Sequence, residues 1–158
     1  MSTATLKIAT KSPEDTQELG RRLGELAQPG DIYVLTGKLG AGKTTLTQGI
    51  ARGLGTKENA MSPSFVLIHE LKGRLPLYHI DLYRLDKIEE ISALGLDDYL
   101  FGDGVSVVEW GEKAGDILPD ESLSIEIEYL DGDERSIEIK ANGARYEGLL
   151  KQLEARVK

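Results

Sequence analysis

Cysteine is absent from this chain of 158 residues. That excludes disulfides, thiolate metal sites and cysteine nucleophiles, and it fits a reducing, cytoplasmic setting. Basic charge is also in short supply: 19 Lys and Arg stand against 27 Asp and Glu, a net charge of −8. A free-standing nucleic-acid binder gains affinity by neutralising phosphates. An acidic chain is therefore not expected to bind RNA or DNA strongly by itself, although its charge is neutral about a protein partner with a basic surface. No apolar stretch approaches the ~20 residues of a membrane span. Met1 to Thr10 has no apolar run preceded by basic residues, so no signal peptide is expected. There are two histidines, His69 and His79, and no third ligand at metal spacing. Both read as ordinary strand positions.

What is present centres on Thr36 to Thr45, Thr-Gly-Lys-Leu-Gly-Ala-Gly-Lys-Thr-Thr. Gly37, Gly42, Lys43 and Thr44 fit the P-loop pattern G-x-x-x-x-G-K-[ST]. Glycine lets the backbone bend so that successive N–H groups, from Leu39, Gly40, Ala41 and Gly42 to Thr44 and Thr45, turn toward phosphate oxygens. The Lys43 ammonium can reach the β- and γ-phosphates, and the Thr44 hydroxyl suits Mg²⁺. Ile32 to Leu35 form a short apolar run ahead of the loop, and Leu46, Ile50, Ala51 and Leu54 follow at helical spacing. Strand, loop and helix in this order are the context that nucleotide binding requires.

With 40% hydrophobic residues and no linker or repeat, residues 1–158 read as a single domain built around the P-loop. The expected fold is α/β: a P-loop NTPase-like sheet, mostly parallel with antiparallel hairpins, and helices on both faces. Thr5 to Ala9 reads as a strand. Ser12 and Asp15 then resemble a capping box, with Pro13 at the first helical position, and Leu19, Leu23 and Leu26 supply the buried stripe. Two strand-like runs, Phe65 to Leu71 and Leu75 to Asp81, flank Lys72-Gly73 as a hairpin. Ile88, Ile91 and Leu94 mark a short helix stopped by Gly95, and Asp97, Asp98 and Asp103 read as an acidic loop. Leu123 to Tyr129 and Ile137 to Ile139 alternate as half-exposed strands around Asp131-Gly132-Asp133-Glu134. A last helix follows Gly143.

Two strands end in acids. Leu77-Tyr78-His79-Ile80-Asp81 has the Walker B arrangement, and Val105-Ser106-Val107-Val108-Glu109-Trp110 repeats it. Parallel strands would bring both acids to one sheet edge, where either or both could act on the metal. Ser62-Pro63-Ser64-Phe65 reads equally as a turn or as a loop whose hydroxyls sense the γ-phosphate.

The P-loop, Ser-Pro-Ser-Phe, His-Ile-Asp-Leu-Tyr-Arg and Val-Glu-Trp, in this order, resemble the bacterial TsaE family over roughly Thr5 to Ala141. That resemblance implies a small Mg²⁺-dependent ATPase required for N6-threonylcarbamoyladenosine at position 37 of tRNAs reading ANN codons. It would work with TsaB and TsaD and meet tRNA only through that complex, without a membrane. Carried over by the resemblance, Lys43 holds phosphate, Thr44 and Glu109 bind Mg²⁺, and Asp81 is the essential acid near ATP. Ser64 keeps a hydroxyl where Thr is common, and Trp110 matches the family tryptophan. Ser12, Thr16 and Arg135 fall where the family contacts the base or its surroundings. Gly111 stands where Pro is expected in some relatives.

Two other functions compete. A small-molecule kinase usually carries an arginine-rich lid, and Arg84 and Arg135 are isolated here. A guanine-nucleotide switch carries Asn-Lys-x-Asp and Asp-x-x-Gly, and neither pattern occurs in the chain.

Overall fold

The computed structural model describes residues 4–38, 42–56, 68–82, 85, 87–113 and 115–157. Strand β1 (Ala4–Thr10) hands over to helix α1 (Pro13–Leu26) through the capping box that Ser12 and Asp15 foreshadow. The Asp15 N–H donates to Ser12 Oγ at 3.1 Å, and Asp15 Oδ2 accepts from the Lys11 N–H at 3.1 Å. This is a variant of the capping box: the cap satisfies the Asp15 N–H, and the return bond goes to Lys11, one residue before Ser12. Strand β2 (Ile32–Thr36) leads to helix α2 (Lys43–Gly53). Strands β3 (Ile68–Leu71) and β4 (Leu77–Asp81) form the expected antiparallel hairpin, with Ile68 opposite Ile80.

Helix α3 (Ile88–Ser92) ends before Gly95, whose φ of 69° reverses the chain. The expected acidic loop contains a helical turn instead, α4 (Asp97–Leu100). Leu96 and Leu100, four residues apart, bury their side chains together, and that packing holds the turn. Strand β5 (Val105–Glu109) follows, then two short 3₁₀ turns, and then strands β6 (Ser122–Asp131) and β7 (Glu134–Asn142). Gly132 takes a positive φ of 55° at the tip of that hairpin. Helix α5 (Ala144–Val157) closes the chain.

Among the described residues the strands make one seven-stranded sheet in the order β1-β7-β6-β2-β5-β4-β3. Parallel pairing occupies the centre, β6-β2-β5-β4, while β1, β7 and β3 join antiparallel at the flanks. Strands β2 and β5 are buried on both sides, as a covered parallel sheet demands, whereas β6 alternates buried and exposed residues. Tyr33, Leu35, Val105 and Val107 pack with α1, α2 and α5 on one face. Ile32, Val34, Ile80 and Val108 pack with α3 and α4 on the other. Helices therefore cover both faces, as expected.

Helices α1 and α2 lie unusually close. Gly20 and Gly24 on α1 face Gly49 and Gly53 on α2, each pair spaced by four residues. A Cβ on Gly49 would stand 2.1 Å from the Gln17 carbonyl oxygen, and one on Gly20 would stand 2.3 Å from that of Leu46. Backbone touches backbone here, and only glycine permits it. This contact fixes α2, and so the P-loop lysine at its first turn, against the N-terminal helix.

Candidate active site

Strand β2 delivers the chain to the loop, and α2 begins at Lys43 directly after Gly42, whose φ is 113°. Gly37 also has a positive φ, 148°. The two motif glycines thus occupy backbone conformations that other residues rarely adopt. Lys43 is 5% exposed. Its Nζ donates to the Gly37 carbonyl at 2.8 Å and lies 3.8 Å from the centroid of the Trp110 ring. A lysine head group is thereby folded back over its own loop and held by a cation–π contact. Thr44 and Thr45 follow on the first turn of α2, both half-buried. Leu39, Gly40 and Ala41 lie outside the described residues, as does Ser62 to Phe65 with Ser64.

Strands β4 and β5 are parallel, and their register places Asp81 beside Glu109. On β2, Leu35 is the register partner of Glu109, so the strand leading into the loop ends beside the same acid. The two acids therefore stand at the sheet edge from which the P-loop springs, as the sequence suggested. Both are buried, Asp81 at 8% and Glu109 at 3% exposure. A buried carboxylate is costly without a partner, and Glu109 has one. Its Oε2 makes a very short hydrogen bond to Nε2 of His79, which is fully buried on β4.

His79 is thus more than an ordinary strand position. The signal was there to read: it sits two residues before Asp81, so strand alternation puts both side chains on the face that carries the loop helix. His69, paired with His79 across β3 and β4, is only half-buried. Among the described residues, no cluster of three or more His, Asp or Glu side chains could hold a metal by itself.

Trp110 is the one non-glycine residue with a positive φ, 61°, among those described. A bulky side chain rarely adopts this region, and such strain concentrates at functional sites. The turn is enforced from behind: a Cβ on Gly111 would lie 2.6 Å from Val34 Cγ1, so the chain packs tightly there. The result aims the indole at Lys43, with the Lys113 ammonium 6.0 Å from the same ring.

The base-side candidates are placed less directly. Ser12 Oγ is engaged as the α1 cap. Thr16 is buried, and its hydroxyl meets that of Thr10 at 2.8 Å. Arg135 is the register partner of Thr10, and its Nε lies 3.8 Å from where a Gly42 Cβ would stand. The start of β7 and the end of β1 therefore flank the loop. The Arg135 guanidinium donates to the Gly132 and Glu134 carbonyls at 2.8 and 3.0 Å and lies over the Tyr129 ring at 4.9 Å. Tyr129, not singled out from sequence, is 61% exposed beside it.

A partly buried ion pair, with Asp31 buried and Arg145 half-buried, marks the opposite end of β2. Arg145 on α5 donates Nε to Asp31 Oδ1 at 3.0 Å and Nη2 to Asp31 Oδ2 at 2.7 Å. That hydrogen-bonded carboxylate holds the Arg145 pKa above its ordinary value. Tyr146 accepts the Ile32 N–H at 2.9 Å. These contacts anchor α5 to the foot of the loop strand.

The family model described as threonylcarbamoyl adenosine biosynthesis protein TsaE matches residues 10–137. A tRNA threonylcarbamoyladenosine biosynthesis protein TsaE of Bacillus subtilis is 46% identical over 149 residues, covering 94% of this chain and 93% of that protein. The Treponema pallidum protein of the same name is 38% identical, covering 85% and 99%, and that of Nostoc is 41% identical, covering 84% of each. The crystal structure of Bacillus subtilis YdiB superposes with a TM-score of 0.88 at 41% identity, covering 100% of this chain and 99% of that one. The chain belongs to the TsaE family.

Proposed function

We propose that this protein binds and hydrolyses ATP with Mg²⁺ as the ATPase component of tRNA threonylcarbamoylation at adenosine 37, in tRNAs reading ANN codons. It acts in the cytoplasm with TsaB and TsaD and meets tRNA only through them. The names of its relatives give the pathway. What supports the ATPase reading is one juxtaposition. Lys43 at the head of α2 shares a sheet edge with the buried acids Asp81 and Glu109, which β4 and β5 hold side by side.

The parts divide as follows. Loop N–H groups and the α2 N-terminus receive the phosphates. Lys43 leaves its Gly37 carbonyl and the Trp110 ring for phosphate oxygen. The oxygen donors at hand, Thr44 hydroxyl and Glu109 carboxylate, suit a small hard cation that keeps water and phosphate as its other ligands. Mg²⁺ there would neutralise charge on the β- and γ-phosphates. Asp81 orients the attacking water. Arg135 donates to carbonyls of its own turn, and on this reading an arginine finger on the γ-phosphate is supplied by a partner. Such a residue supplied in trans contributes roughly 10³–10⁵ in rate.

The test is reconstitution. Hydrolysis and tRNA modification are measured with this protein alone, with the TsaB–TsaD pair, and with the pair lacking it. Slow hydrolysis alone, faster hydrolysis with the pair, and repeated modification only in the full mixture are expected. Fast ATPase activity and tight tRNA binding by the isolated chain would overturn the proposal. So would repeated turnover of the pair without it. ATP consumption that required a small-molecule acceptor would point to a kinase, and GTP preference to a switch. The relatives' names support neither.

A further inference from the structure

One buried polar group near the acids has no role in the account so far. His79 is fully buried, and its two ring nitrogens differ completely. Nε2 meets Glu109 Oε2, whereas Nδ1 has no hydrogen-bond partner among the described residues. A carboxylate oxygen accepts, so the proton belongs on Nε2. A proton on Nδ1 would be a buried donor with nothing to receive it, which folded proteins avoid. The structure thus assigns a proton to Nε2, facing the carboxylate. His79 and Glu109 are carried by adjacent parallel strands, with His79 opposite Val107, two residues before Glu109. The imidazole therefore reaches the carboxylate across the strands, along one face of the sheet.

We infer that His79 is the positioning residue of Glu109: its Nε2–H holds one carboxylate oxygen and so turns the other toward the cation that accompanies ATP. This rests on reading Glu109 as a metal ligand. Carboxylates that bind metal are themselves held by hydrogen bonds, and removing such a support typically costs about 10–100-fold in metal affinity or activity. Strand geometry explains why a histidine serves. Its ring is rigid, it places a donor at the far end of a short reach, and it is itself fully buried on β4.

The test uses the shapes of two amides. Glutamine places its side-chain N–H₂ where the imidazole carries Nε2, and asparagine places its own where the ring carries Nδ1. Only His79→Gln can therefore restore the bond to Glu109. Mn²⁺ is titrated into the full-length protein with bound ATP, and free Mn²⁺ is read by electron paramagnetic resonance. ATP affinity is measured separately in EDTA. His79→Asn should weaken Mn²⁺ binding about 10–100-fold, His79→Gln should recover most of that loss, and metal-free ATP affinity should stay the same in all. Glu109→Gln is the control.

If Glu109→Gln weakens Mn²⁺ but His79→Asn and His79→Gln behave alike, the positioning role is wrong and the ligand reading stands. If Glu109→Gln leaves Mn²⁺ binding unchanged, both fall. Tighter Mn²⁺ in His79→Asn would show that the contact opposes the metal, and would also overturn the inference. Nitrogen-15 NMR of the unmutated protein gives an answer independent of folding in the variants. With only two histidines in the chain, the His79 ring should show a proton on Nε2 and none on Nδ1. The opposite tautomer would overturn the assignment.

Discussion

Replacing Gly49 with alanine should destabilise the protein even though alanine is the better helix former. Two effects of opposite sign compete. In a helix interior, Gly→Ala gains about 1 kcal/mol from propensity and a less flexible unfolded chain. Against this, the new Cβ would lie 2.1 Å from the Gln17 carbonyl oxygen and 2.8 Å from its carbon. Both are backbone atoms of α1, so no side chain can swing aside. Helices α1 and α2 must separate by roughly 1 Å, and a gap of that size forfeits about a quarter to a half of each dispersion contact across it. Leu23, Leu46 and Ile50, all fully buried, lie in that cluster. Overpacking of this kind costs about 1–3 kcal/mol and occasionally more. Here the clash is with backbone, so we take the upper end and expect a net loss of about 2 kcal/mol. For a chain of this size that is a fall in Tm of about 4–8 °C. Gly148 on α5 is the internal control, because a Cβ there meets nothing within 4 Å. Gly148→Ala should gain about 0.4–1 kcal/mol. Urea unfolding of the two variants beside the parent measures both. A Gly49→Ala protein as stable as the parent, or stabilised like Gly148→Ala, would refute the close contact between the helices.

Three further outcomes follow from the site and its supports. Glu109→Gln should raise the Mg²⁺ requirement of hydrolysis, whereas Asp81→Asn should depress hydrolysis even at saturating Mg²⁺; Mg²⁺ titrations of both variants separate the roles, and a reversed pattern would exchange them. Trp110 emission should change when MgATP draws Lys43 from its ring, 3.8 Å away; a spectrum indifferent to nucleotide in protein shown by calorimetry to bind it would remove Trp110 from the site. Arg145→Ala should cost about 3 kcal/mol in urea unfolding, because it strips the guanidinium from the buried Asp31 carboxylate; a change below about 1 kcal/mol, the range of exposed pairs, would show that Asp31 is solvated.

The features legible in the sequence were those encoded by neighbouring residues. Ser12-Pro13-Glu14-Asp15 announced the α1 cap because a capping box closes within four residues. The alternation from Leu123 to Tyr129 announced β6 because a half-covered strand repeats every two residues. The P-loop fixed the strand and helix on either side of it. Asp81 and Glu109 came together because each ends a strand of a parallel sheet, where strand ends share an edge. What escaped depends on partners distant in sequence. Glycines at 20, 24, 49 and 53 are four unremarkable residues until two helices face each other. His79 is an ordinary strand residue until β5 lies beside β4 and offers Glu109 to it. Asp31 and Arg145 are 114 positions apart, and only the docking of α5 makes them a pair. The short helix at Asp97 to Leu100 was hidden by its acidic composition, which masked the spacing of Leu96 and Leu100.

The central claim is that the loop ending in Lys43 is the seat of ATP. Calorimetric titration of MgATP into the parent protein and into Lys43→Ala tests it most directly. If Lys43 supplies the positive charge aimed at the phosphates, as proposed, the parent should bind and the variant should lose most of that affinity while its melting temperature is preserved. Equal ATP affinity in the two proteins would contradict the assignment of the site.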